Sequence, residues 1–193
     1  MNSIIHVKGV QRSGTTMLTK HYITYHSIKQ NPYLYKHTSV DTLDSFSVLH
    51  GYVIQDHSID FYAKSKYHNV ESILVKRKVK SKQILSWFVI DFLEGLLDDI
   101  EQVYSYQKED SLPQFELSIQ QVKDRCNSLI KLETEMENTF INNNIEYKIK
   151  YYEDICNQDL LGQTKPTKAR PENLIKNYND VLNWCKKELN EVL

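Results

Sequence analysis

Glycine and proline are scarce in this chain, five and four residues among 193, which argues against a disordered or linker-rich polymer. Its three cysteines, Cys126, Cys156 and Cys185, are widely spaced and form neither a C-x-x-C pair nor a Cys/His ligand pattern. No zinc site or disulfide framework follows from them, and reduced thiols in a cytoplasmic protein are expected. A long apolar run is also missing. The most apolar stretch, Ile84 to Leu97, is too short to span a bilayer and carries Asp91 and Glu94. The N-terminal segment does not read as a secretory leader, because His6, Lys8 and Arg12 interrupt its apolar residues. Finally, neither sign of charge dominates: 24 Lys and Arg face 25 Asp and Glu, for a net charge of −1. Such a balance gives no global attraction to nucleic acid or to anionic membranes. Any recognition of an anion must therefore be local.

The length suits one domain, taken here as residues 1–193, with a single buried core. Ser3 to Gly9 reads as a short β-branched strand ended by glycine, and Thr15 to about Lys29 as a helix stopped by Asn31-Pro32. Val53 to Gln55 and Ser72 to Val75 are further strands, the second a continuous apolar run suited to burial on both faces. Apolar residues recur at helical spacing from Ser81 to about Tyr106. Beyond Pro113 a second long helix runs from about Glu116 to Asn142, ended by the Asn142-Asn143-Asn144 turn. Glu146 to Tyr152 alternates as a strand, and the tail from Asn173 is helical. Strands alternating with helices predict an α/β fold: a three-layer sandwich around a mostly parallel sheet of about four to five strands. Ligands of such sheets bind beyond the C-terminal strand ends.

The strongest local signal is Gly9-Val10-Gln11-Arg12-Ser13-Gly14-Thr15-Thr16, set between a strand and a helix. Its glycines have the spacing of a phosphate-binding G-x-x-x-x-G-K-[ST] loop, in which backbone N–H groups and a helix N-terminus surround an anion. Here Thr15 replaces the lysine, and no apolar strand ends in an obvious Mg²⁺-holding aspartate. Hydrolysis of a nucleoside triphosphate is therefore poorly supported.

Val7 to Leu18 resembles the 5′-phosphosulfate loop of sulfotransferases that use 3′-phosphoadenosine-5′-phosphosulfate (PAPS). That resemblance implies a P-loop-like phosphosulfate loop in which Gln11, Arg12, Ser13, Gly14, Thr15 and Thr16 hold the cofactor and Arg12 contacts the transferring group. Ile73-Leu74-Val75-Lys76-Arg77-Lys78 with Ser86 is similar to the family's 3′-phosphate motif. It assigns that phosphate to Ser86 and to Arg77 or Lys78, with Arg77 favoured. Tyr151-Tyr152-Glu153-Asp154 resembles a Tyr-Glu-Asp segment of mainly structural role. Lys165 to Val181 is similar to the C-terminal segment whose basic residues, here Lys165, Lys168 and Arg170, close over the 3′-phosphate.

Transfer to a hydroxyl needs a proton acceptor, and a histidine titrating near neutrality suits the task. The family's position for it falls on His57, just past the second strand, with His50 and Asp56 as rivals. The resulting expectation is a metal-free sulfotransferase moving a sulfuryl group to a hydroxyl or amine of a small-molecule or glycan acceptor, releasing 3′-phosphoadenosine-5′-phosphate. A P-loop nucleotide or small-molecule kinase, and a non-catalytic nucleotide-binding protein, are the competing readings. No nucleic-acid partner is expected, and the helix from Ser81 offers a face on which two copies could pair.

Overall fold

The computed structural model describes residues 3–25, 52–56, 69–97, 112–156 and 169–191. They are mixed helix and strand, and the strands form an open, parallel sheet, as the alternation of strands and helices predicts. In chain order the elements are β1 (Ser3–Lys8), α1 (Thr15–Tyr25), β2 (Tyr52–Asp56), β3 (Asn69–Lys76), α2 (Lys80–Glu94), α3 (Ile119–Asn142), β4 (Tyr147–Tyr151), α4 (Tyr152–Cys156), α5 (Pro171–Leu174) and α6 (Tyr178–Glu188). The described strands lie in the order β2-β1-β3-β4, every neighbouring pair parallel. Chain contacts divide the protein into two compact units, residues 1–78 with 131–163 and residues 79–130 with 164–193.

The first unit holds the sheet. Side chains alternate across a strand, and β1 uses both faces. Ile5 and Val7 join Ile73 and Val75 of β3 in a cluster with Met17 and Leu18 of α1 and Ile155 of α4. His6 and Lys8, both fully buried, point the other way, toward Phe140 of α3. That second face is unusually polar. The Lys8 ammonium lies 5.9 Å from the Phe140 ring centre, and Lys76 Nζ pairs with Glu137 at 2.5 Å. Tyr147 of β4 stacks on Phe140 at 4.9 Å and donates its hydroxyl to Glu137 at 2.9 Å. Burial and that carboxylate push the Tyr147 phenol above its ordinary range.

Helix α3 starts on a reciprocal cap: Gln121 N–H donates to Ser118 Oγ, and the Gln121 side chain accepts from Ser118 N–H at 2.8 Å. Ser118-x-x-Gln121 is thus a capping box, satisfying two donors that a helix end leaves free. Val122, Cys126, Leu129, Glu133, Met136 and Phe140 form one buried stripe along it at three- and four-residue spacing. The helix ends in the asparagine turn, with Asn144 left-handed at φ 53° and Ile145 N–H donating to Phe140 C=O.

In the second unit Val89, Ile90 and Leu93 of α2 pack with Ala169 and Leu174. The N-terminus of α2 lacks a side-chain cap from Val79; instead Ser81 N–H donates to the Glu191 carboxylate at 3.0 Å, a favourable charge at a helix N-terminus. The tail is not one helix, contrary to the sequence pattern. It breaks at Ile175, which is extended because its backbone pairs with Phe115. The Asn177 carboxamide then bonds both backbone groups of Leu117, donating to the C=O at 2.7 Å and accepting from the N–H at 3.2 Å. We expect Asn177→Ala to cost about 1–2 kcal/mol in urea unfolding, the worth of two bonds to a partly buried backbone. A change within a few tenths would show that water replaces the side chain.

Candidate functional site

The site begins where β1 stops. Parallel pairing sets Lys8 beside Leu74, and Lys76 beside Tyr151, so β1, β3 and β4 release their chains at one edge of the sheet. From that edge leave the Gly9–Thr16 turn, Arg77, and the α4 segment beginning at Tyr152.

The turn is tightly folded. A Cβ on Gly9 would lie 2.5 Å from Ser13 Oγ and 2.7 Å from the Val75 carbonyl, so only glycine lets the turn close against β3. Ser13 N–H donates to Val10 C=O at 3.0 Å, and Leu18 N–H to Gly14 C=O at 3.1 Å as α1 begins. Two residues hold positive φ: Gly14 at 102° and Arg12 at 65°. The other described non-glycine residues with positive φ, Asn144 and Asn190, are asparagines closing helix C-termini, where that conformation is ordinary. Arg12 closes no helix. A long side chain held there costs about 1–2 kcal/mol, and such outliers concentrate at functional sites.

Ser13 is 1% exposed, and its Oγ has no hydrogen-bond partner among the described residues. A buried hydroxyl left so is costly unless something else bonds it. Thr15 is also buried, while Gln11 and Thr16 are exposed and Arg12 and Gly14 are half-buried.

Arg77 reaches this turn through an aromatic ring. Its guanidinium lies 4.1 Å from the ring centre of Tyr152, and the edge of that ring abuts Gly14, where an added Cβ would stand 2.4 Å from Cδ2. Tyr152 thus links the β1–α1 turn to the end of β3. The sequence marked Tyr151 to Asp154 as a structural segment without singling out this ring. Lys78 is engaged elsewhere. Its backbone N–H donates to Glu153 at 2.9 Å, and its ammonium pairs with Asp154 at 2.5 Å, which raises its pKa.

The remaining expected residues are dispersed. Ser86 is half-buried on α2, in the second unit. Arg170 is exposed at the N-cap position of α5. His57, His50, Lys165 and Lys168 lie outside the described residues. Asp56 ends β2 at the strand's C-terminus.

Among the described residues no helix is long and apolar enough to cross a membrane, and no group of three or more His, Cys, Asp or Glu side chains is placed to hold a metal ion. No protein-family model, curated protein or solved structure matches this chain.

Proposed function

We propose that this chain is a sulfotransferase, moving a sulfuryl group from PAPS to a hydroxyl or amine of a small-molecule or glycan acceptor. The observation that carries the reading is the Gly9–Thr16 turn itself. It opens a helix at the C-terminal edge of a parallel sheet and buries a Ser13 hydroxyl that has no hydrogen-bond partner among the described residues. It also holds Arg12 in a conformation that a structural turn would give to glycine or asparagine. N–H groups at the start of α1, the hydroxyls of Ser13, Thr15 and Thr16, and the Arg12 fork together suit a phosphosulfate group.

Arg77 supports the nucleotide half of the reading. A cation fixed on Tyr152, one strand away from the turn, suits a second phosphate on the same ligand, which PAPS has and ATP lacks at its ribose. Ser86, Lys165, Lys168 and Arg170 complete the proposed cofactor set. In the reaction the sulfur–oxygen bond to the cofactor's phosphate breaks as the acceptor oxygen attacks in line. Arg12 and the turn N–H groups stabilise the charge left on the leaving phosphate oxygen. His57, or Asp56 beside it, takes the acceptor proton. No covalent enzyme intermediate and no metal enters this scheme.

Calorimetric titration with 3′-phosphoadenosine-5′-phosphate, and separately with ATP and Mg²⁺, tests the cofactor directly. The expected result is a dissociation constant on the order of micromolar for the first ligand and no resolvable heat for the second. Binding of ATP with Mg²⁺ alone would replace this reading with a kinase. Failure of both ligands would leave the turn without a nucleotide.

A further inference from the structure

A groove in the second unit plays no part in the proposed reaction. It is lined by Phe88, Asp91 and Phe92 of α2 and by Asp124 and Arg125 of α3, residues three or four apart on one face of each helix. Phe115, Glu116 and Leu117 complete it from the segment that leads into α3. Its volume is about 510 Å³, inside the range of roughly 300–1,000 Å³ in which proteins hold single small molecules.

Aromatic rings and carboxylates dominate the lining. Phe92 and Phe115 stack with their ring centres 4.2 Å apart and 24° between planes. Phe115 is fixed by its backbone, whose N–H donates to Leu174 C=O at 2.9 Å and whose C=O accepts from Lys176 N–H at 2.8 Å. The rings are thus set before any ligand arrives, which lowers the entropy lost on binding. Three carboxylates, Asp91, Glu116 and Asp124, share the groove with one cation, Arg125. Arg125 shows how this surface holds positive charge. Its guanidinium lies 4.4 Å from the ring centre of Trp87 and 5.3 Å from that of Phe88, and it pairs with Asp91. A ring face and a carboxylate act together there. The Phe92–Phe115 pair with Glu116 and Asp124 repeats those ingredients, and no second Lys or Arg stands among the lining residues.

We propose that this groove binds a small organic cation, an ammonium ion carried on an apolar body. The positive nitrogen lies against the phenylalanine pair, balanced by Glu116 and Asp124, and the apolar part covers Phe88 and Leu117. Ten residues line the groove, against roughly 20–30 on each side of a standard protein interface, so its size suits one small molecule. The inference is independent of the sulfotransferase reading, since no lining residue belongs to the proposed cofactor set.

Calorimetry on the whole chain tests it, with benzyltrimethylammonium as the probe. Phenylmethanesulfonate serves as the anionic counterpart, and an acetylated pentalysine amide as a basic peptide. The expected dissociation constant for the cation is about 0.1–1 mM, with no resolvable heat from the sulfonate. Glu116→Gln combined with Asp124→Asn changes two exposed side chains and should weaken the cation about tenfold or more while leaving the urea midpoint nearly unchanged. Phe115→Leu keeps an apolar side chain but loses the ring, and should weaken it about fivefold. No heat from the cation at about 10 mM, equal binding of the sulfonate, or full affinity in the double variant would overturn the proposal. Tighter binding of the peptide would overturn it too, by assigning the groove to a basic protein segment.

Discussion

Gly14→Val is expected to destabilise the protein by about 3 kcal/mol or more, read as a lowered urea midpoint. Two independent costs combine. At φ 102° a β-branched residue is strongly disfavoured, and its Cβ would also fall 2.4 Å from Tyr152 Cδ2 and 3.2 Å from Cε2. The ring cannot swing aside freely, because Tyr152 packs against the Ile5, Val7 and Ile73 cluster and carries Arg77 at 4.1 Å. Gly14→Ala in a Tyr152→Leu background separates the two costs. There the collision is relieved, and about 1 kcal/mol of backbone strain remains. An unchanged midpoint in Gly14→Val would mean that the turn is not held as described.

Arg77→Ala should weaken binding of 3′-phosphoadenosine-5′-phosphate by about 30- to 100-fold, the loss of a charge-assisted contact of roughly 2–3 kcal/mol. Arg77→Lys should recover only part of it, because an ammonium neither forks nor stacks on Tyr152 as a guanidinium does. Lys78→Ala should change the constant less than about threefold, since the Lys78 ammonium is paired with Asp154 on an exposed surface. Calorimetry on the three variants reads all of this. A larger loss from Lys78→Ala than from Arg77→Ala would reverse the assignment and move the second phosphate site one residue along the chain.

The central strands were legible in the sequence because burial on both faces leaves a dense apolar signature. Ile73 to Val75 is the clear case, and the expected Ser72–Val75 falls within β3, Asn69–Lys76. The turn after β1 was legible because its glycines meet a steric demand that other residues cannot. Two features escaped. The break at Ile175 depends on pairing with Phe115, far away in the chain, and helical periodicity carries no trace of such a partner. The placement of Tyr152 depends on a ring reaching across strand ends, where composition and spacing say nothing about direction. His6 and Lys8 show a related limit. Read along β1 they interrupt an apolar strand, yet both are wholly buried on the polar face shared with α3. The expected start of α3, about Glu116, passes over a local signal: the Ser118-x-x-Gln121 capping box begins the helix at Ile119.

The strand order carries a consequence for synthesis. β1 is sandwiched between β2 and β3, yet Ile4, Ile5 and Val7 are made long before Asn69 begins the strand that covers their second edge. At roughly 5–20 residues per second, the ribosome leaves that apolar segment without a partner on either edge until β2 is made, and short of its second edge until β3 is complete, several seconds in all. β4 and the polar-face helix α3 arrive later still. This is a slow, non-local topology, and the nascent chain passes through an interval in which a holding chaperone has something to bind.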